Sequence, residues 1–127
     1  MQQLKIPTTN ESKTYIGSIG DRNGDVYHLI LLPGDNDDAT WEEQMEWAKS
    51  QGGDLPNRIE QAMLWANNRD LFKKDWYWSG EQHEDGGAAC AYGFPGGNQC
   101  YFNTSGRLRA RCVRRDFVKE NECLQET

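Results

Sequence analysis

The side chains in this 127-residue chain with the most chemical potential are four cysteines, two histidines, an acidic run and an arginine-rich strand. Cys90, Cys100, Cys112 and Cys123 are spaced C-x9-C-x11-C-x10-C. Zinc sites present two thiolates from one short turn, as in C-x2-C, and no such pair occurs. Several disulfide pairings stay open, but a reducing compartment would keep the thiols free and packed as small hydrophobes. His28 sits within the apolar run Val26–Leu32 and reads as a packed or edge histidine. His83 lies in Glu81-Gln82-His83-Glu84-Asp85. That segment mixes imidazole with carboxylates as a metal site would, yet is hydrophilic enough to be a solvated loop. Asp35-Asn36-Asp37-Asp38 invites comparison with a calcium loop, but Ala39 and Thr40 fall where an EF-hand needs a ligand and a glycine. There the negative charge instead favours a following helix N-terminus. No G-x-S-x-G, H-E-x-x-H or P-loop is present, and Ser79 has no base nearby in sequence. The expectation is a chain that is not an enzyme, with no cofactor and no metal.

Two features point to binding. Arg107, Arg109, Arg111, Arg114 and Arg115 contribute five of the 14 basic residues. Strand alternation puts Arg107, Arg109, Arg111 and Arg115 on one face, a comb for phosphates or an acidic partner, or else a solvated face paired with the acidic excess. The net charge of -6 opposes general nucleic-acid binding. Residues 72–102 hold eight of the fourteen aromatics, with Gly93, Gly96, Gly97 and Asn98 between them. Rigid aromatics among small polar neighbours compose binding surfaces, and they also compose cores. Tyr92, Phe94 and Tyr101 are the expected contact residues.

These side chains need elements to position them. Asn23-Gly24 marks a hairpin over 14–32, with Pro33-Gly34 expected to stop its second strand and an acidic loop to follow. Thr40 with Glu43, and Asn57 with Glu60, form two capping boxes. The first helix would bury Trp41, Met45 and Ala48 and end at Gly52-Gly53. The second would bury Ile59, Ala62, Met63 and Ala66. Short strands are expected over 76–81, 88–94, 99–103 and 107–115. Helices clustered between strands predict an α+β fold, with the first hairpin beside the last strand. The domain is expected over 14–117, with an arm at 1–13 and a polar tail at 118–127. No apolar run approaches the ~20 residues of a membrane span. Met1–Asn10 has no apolar secretory core, so a cytoplasmic location is expected.

The motifs Trp41…Ala48…Gly52-Gly53-Asp54-Leu55-Pro56-Asn57…Glu60, Trp76-Tyr77-Trp78-Ser79-Gly80 and Leu108-Arg109-Ala110-Arg111-Cys112-Val113-Arg114 resemble a family of small domains of unknown function frequent in phages and prophages. That family is similar to the C-terminal domain of the Legionella collagen-like adhesin, and more distantly to formylglycine-generating enzymes and C-type lectins. The resemblance spans about residues 14–117. It implies a C-type-lectin-like fold, in which two helices flank a small twisted antiparallel sheet and a long loop region forms the binding face. The chain has no Glu-Pro-Asn, Gln-Pro-Asp or Trp-Asn-Asp, so calcium-dependent sugar binding is not carried over. Nor do its cysteines match the paired active-site cysteines of the enzymes.

The resulting expectation is a non-catalytic protein-binding module of phage or prophage type, docking a host protein or complex and inhibiting a defence system in the host cytoplasm. Loop region 82–106 would carry specificity through Tyr92, Phe94, Asn98 and Tyr101. Arg107, Arg109 and Arg111, or Asp35, Asp37 and Asp38, would add an electrostatic second surface. Neither a membrane nor direct nucleic-acid contact is expected. The alternative is a receptor- or glycan-binding module of an adhesin or phage tail.

Overall fold

The computed structural model describes residues 13–118; the expected arm and tail lie outside the described residues except for Lys13 and Val118. Strands β1 (Thr14–Gly20) and β2 (Val26–Ala39) precede helices α1 (Trp41–Ser50) and α2 (Arg58–Asn68). A 3-10 turn at Arg69–Leu71 leads into β3 (Trp76–Gln82), β4 (Ala88–Gly93), β5 (Asn98–Asn103) and β6 (Leu108–Phe117). The strands form one six-stranded sheet, ordered β1-β2-β6-β3-β4-β5. Every pairing is antiparallel except β3 with β6, which run parallel and meet at the single pair Tyr77–Arg109. The fold is therefore α+β, and the expected antiparallel sheet is corrected to a mixed one, because β4 and β5 carry the chain back to enter β6 parallel to β3.

The first hairpin turns where Asn23-Gly24 placed it, with Gly24 at φ 86° and the Asp21 carboxylate accepting from the Asn23 and Asp25 amides. The last strand lies beside it, as expected, with Leu31 opposite Val113 and Tyr27 opposite Phe117. One boundary is corrected. Pro33-Gly34 does not stop β2, and the acidic segment is strand rather than loop. A register shift between Leu31 and Asp35 absorbs the proline, which has no N–H for the ladder, and Gly34 at φ 101°. Beyond the shift, Asp35 pairs with Arg111 and Asn36 with Ala110.

Leu29, Ile30, Leu31 and Leu32 are all buried. Successive strand residues point to opposite faces, so both faces of the sheet are covered. Leu29, Leu31, Tyr77, Tyr92 and Val113 pack with Leu64 of α2. Ile30, Leu32, Trp78, Ala89, Ala91, Ala110 and Cys112 pack with Ala48 of α1. Both capping boxes form. After α1, Gly53 lets the chain cross β6: a Cβ there would meet the Val113 carbonyl and lie 2.6 Å from the Cys112 sulfur.

The buried face of α2 departs from expectation. Ile59 is 69% exposed, and Ala62 and Ala66 face solvent, whereas Glu60, Gln61 and Leu64 turn inward. Polar capture rotates the helix. Arg115 forks onto Glu60 at 2.6 and 2.7 Å, Tyr27 donates to the same carboxylate at 2.6 Å, and the Asn57 amide donates at 2.8 Å. Gln61 donates to the Tyr77 and Trp78 carbonyls. In α1, buried Gln44 likewise donates to the Asp37 and Leu108 carbonyls and accepts from Asn36. Each helix is thus pinned to the sheet by a buried glutamine.

Removing one member of a buried charged pair strands the other. Glu60→Ala is expected to destabilise the protein by about 3–5 kcal/mol in urea unfolding. Burial, then the Glu60 contact, pushes the Tyr27 phenol up to about 12, and burial, then the Asp35 contact, does the same for Tyr77. Their contribution is complete below the ordinary tyrosine pKa of about 10 and is lost as pH rises through about 12. Circular dichroism should show stability falling across that window, less steeply in a Tyr27→Phe/Tyr77→Phe variant.

Candidate functional site

The arginine comb meets the acidic segment within the chain. Arg109 is buried and donates to Asp35 at 2.8 Å and Asp37 at 3.0 Å. Tyr77 donates a short hydrogen bond to the other Asp35 oxygen and accepts from the Lys73 amide at 2.9 Å. Burial works against the Arg109 charge, but the Asp35 carboxylate outweighs it and holds the guanidinium above its ordinary pKa. Arg111 donates to the Leu71 and Leu32 carbonyls at 2.8 and 3.0 Å and lies 5.4 Å from the Phe72 ring centre. Burial lowers its pKa. Arg107 reaches the Asp38 carbonyl at 3.2 Å and Glu43 at 3.8 Å. Arg115 serves Glu60, as above. Of the charged second surface expected on the arginine strand or the acidic segment, Arg109, Arg111 and Asp35 are engaged internally, in line with the alternative of internal pairing, and Arg107, Asp37 and Asp38 remain exposed. Strand pairing brings the opposite charges into register.

The expected aromatic surface divides in the same way. Phe94 stacks on Phe72 at 4.0 Å and meets Tyr77 edge-on at 5.2 Å, and Tyr92 lies 5.4 Å away. Tyr92 and Phe94 are 5% and 4% exposed, so they are core residues beneath α2 rather than contact residues. Trp65 of α2 seals this corner by donating to the Phe94 carbonyl at 2.9 Å. Tyr101 is different: it stands on the edge strand β5 and is 48% exposed, and Asn98 on the same strand is also exposed.

Beside Tyr101 is a groove of about 620 Å³ lined by Asn57, Arg58, Ile59, Ala62, Glu81 and Gln99. Glu81 holds one rim by accepting from the Arg58 amide at 2.6 Å and its Nε at 3.2 Å. His83, in the β3–β4 loop, packs edge-on to the Tyr101 ring at 4.9 Å. Helix periodicity alone hid Ile59. The signal that could have revealed it was Glu60, whose capping role and acidity called for an inward partner such as an arginine.

The other chemically capable groups are distributed differently. His28 is buried, with its Nδ1 3.1 Å from both the Tyr15 and Ser18 hydroxyls. Ser79 is buried. Cys90 and Cys112 are buried and Cys100 is exposed. Burial raises the Cys90 thiol and pushes Cys112 up to about 11. Cys123 lies outside the described residues. Among the described residues, no three His, Cys, Asp or Glu side chains converge as a metal site, and no helix is long and apolar enough to cross a membrane. The chain matches no protein-family model and no curated protein.

Arg109→Ala would leave Asp35 with only its tyrosine and is expected to cost about 3 kcal/mol. Arg107→Ala, at an exposed pair, should stay within about 0.5 kcal/mol; urea unfolding distinguishes them. Among the three described thiols, native protein should react with an aromatic disulfide reagent at Cys100, while Cys90 and Cys112 react only on unfolding. Peptide mass mapping reads this out.

Proposed function

We propose that this chain is a non-catalytic protein-binding module, with the α2–β5 groove, Tyr101 and the β3–β4 loop as its contact surface. The carrying observation is the exposure of Ile59 in the groove and of Tyr101 two residues along β5 from its Gln99 wall, while most of the arginine strand is engaged internally. A half-exposed tyrosine and a branched aliphatic, rimmed by Arg58, Glu81 and Gln99, have the make-up of a protein contact: apolar anchors inside a polar border.

A C-type-lectin-like arrangement is favoured by the order of hairpin, two helices and a short-stranded second half, with the last strand returning beside the first hairpin. The phage or prophage setting, and a host defence protein as target, rest on the sequence resemblance. A reducing cytoplasm fits the free thiols of Cys90, Cys100 and Cys112.

The test immobilises wild type, Ile59→Asp, Tyr101→Ala and the control Arg107→Ala and passes bacterial lysate over each. Wild type and control should retain one protein in stoichiometric amount, and the other two should retain at least about tenfold less, as loss of an anchor residue costs over 1 kcal/mol. Equal retention by all four overturns the proposal. So does glycan-array binding that the same two substitutions abolish.

A further inference from the structure

We infer that β5 is a self-pairing edge, through which two copies of the chain join their sheets antiparallel about a two-fold axis at Tyr101. This goes beyond the protein-binding reading and does not depend on it.

Among the described residues both outer strands of the sheet have an unpaired side, but they are built differently. β1 is broken by a register shift between Tyr15 and Gly17, and such a bulge spoils an edge for further pairing. β5 pairs with β4 without a shift, from Asn98 opposite Gly93 to Asn103 opposite Ala88. Its sequence, Asn-Gln-Cys-Tyr-Phe-Asn, has no charge and no proline, the usual devices that protect an edge. Every residue of β5 except Phe102 is exposed.

The ladder shows which backbone groups are free. The Phe94 amide bonds to Asp75 and the His83 amide to Ala88, so the even residues of β4 face β3. The odd residues of β4 therefore face β5, and the Thr104 amide bonding to Gly87 agrees. Within β5 the even residues turn inward. The N–H and C=O of Gln99 and Tyr101, and the N–H of Asn103, point away from the sheet. The Asn103 carbonyl already accepts from the Gly106 amide at 2.8 Å.

One antiparallel register engages these outward groups except the Gln99 N–H, whose facing acceptor is the Asn103 carbonyl that Gly106 already uses. Tyr101 lies opposite Tyr101 of the second copy, and Gln99 lies opposite Asn103 in both directions. Aromatic residues directly opposite one another favour such pairing. The ends match as well. Glu84 and Asp85 occupy the loop beside the Asn103 end, and Arg58 lies at the Gln99 end, where its carbonyl accepts from Gln99 at 3.4 Å. The two-fold axis sets Glu84 and Asp85 of each copy toward Arg58 of the other, whose guanidinium is already paired with Glu81 at 3.2 Å. It also puts both Tyr101 rings and both grooves on the same face of the joined sheet.

The experiment is light scattering after size exclusion, under reducing conditions so that Cys100 cannot cross-link. Wild type should show twice the 14.6 kDa chain mass when concentrated and fall toward the single-chain mass on dilution. Tyr101→Pro removes an outward N–H that no described residue of the single chain uses, and it should stay at the single-chain mass while still unfolding cooperatively, at a midpoint that no longer depends on concentration. Gln99→Asp/Asn103→Asp places like charges opposite each other and should also stay single. Gln99→Lys/Asn103→Asp places opposite charges there and should restore the doubled mass; aspartate keeps the side-chain acceptor on which Ser105 depends at 2.9 Å. A wild type single at every concentration overturns the inference. So does doubling that survives Tyr101→Pro, or equal behaviour of the two charge variants. The charge pair decides the matter if the proline variant does not fold.

Discussion

The two halves of the sheet touch through one backbone pair, Tyr77 with Arg109, and side chains do most of the joining. Asp35 lies at the junction, taking the Arg109 guanidinium on one oxygen and the Tyr77 hydroxyl on the other. Trp78 donates across the same seam to the Ala39 carbonyl at 3.0 Å, and Trp41 donates to Ser79 at 2.9 Å. Parallel neighbours need a long crossover; here β4, β5 and their turns provide it. Such a brief ladder has little stability of its own. The ion pair and indole bonds hold β3 beside β6, and β4 and β5 are positioned from there.

This constraint explains the surface. Buried charges must be paired, because stranding one costs far more than the pair contributes over an apolar substitute. Asp35 and Asp37 meet that demand for Arg109, and Glu60 meets it for Arg115, while Arg111 is held by the Leu71 and Leu32 carbonyls. Three elements rich in charge thus offer solvent much less than their composition implies. The far edge, where β5 is uncharged and α2 turns Ile59 outward, bears two of the exposed large hydrophobic residues, Ile59 and Tyr101; Leu71 and Phe117 lie elsewhere. The rotation of α2 that exposes Ile59 follows from the inward pull on Glu60, so the groove and the buried network have one cause.

Local chemistry made much of the fold legible. The Asn-Gly turn, both capping boxes and the α+β order follow from residues a few positions apart. Pro33-Gly34 misled because a proline ends a regular ladder but not one with a register shift, and the arginines opposite give the acidic residues reason to continue. Tyr92 and Phe94 misled because alternation tells which residues share a face and not which face is covered. Tyr101 and Asn98 were legible as exposed, but the groove beside Tyr101 was not.

By itself the sequence determined the first hairpin's turn, both helices with their caps and the absence of charge in the Asn98–Asn103 segment, because these depend on side chains and backbone groups within a turn or two of each other. Only the tertiary structure decided that the acidic run would face the arginines, that Glu60 rather than Ile59 would be buried, and that the uncharged strand would lie at an edge. Those outcomes depend on which distant strands become neighbours, and a buried charge accepts the nearest partner the assembled sheet supplies, whatever the local hydrophobic period prefers.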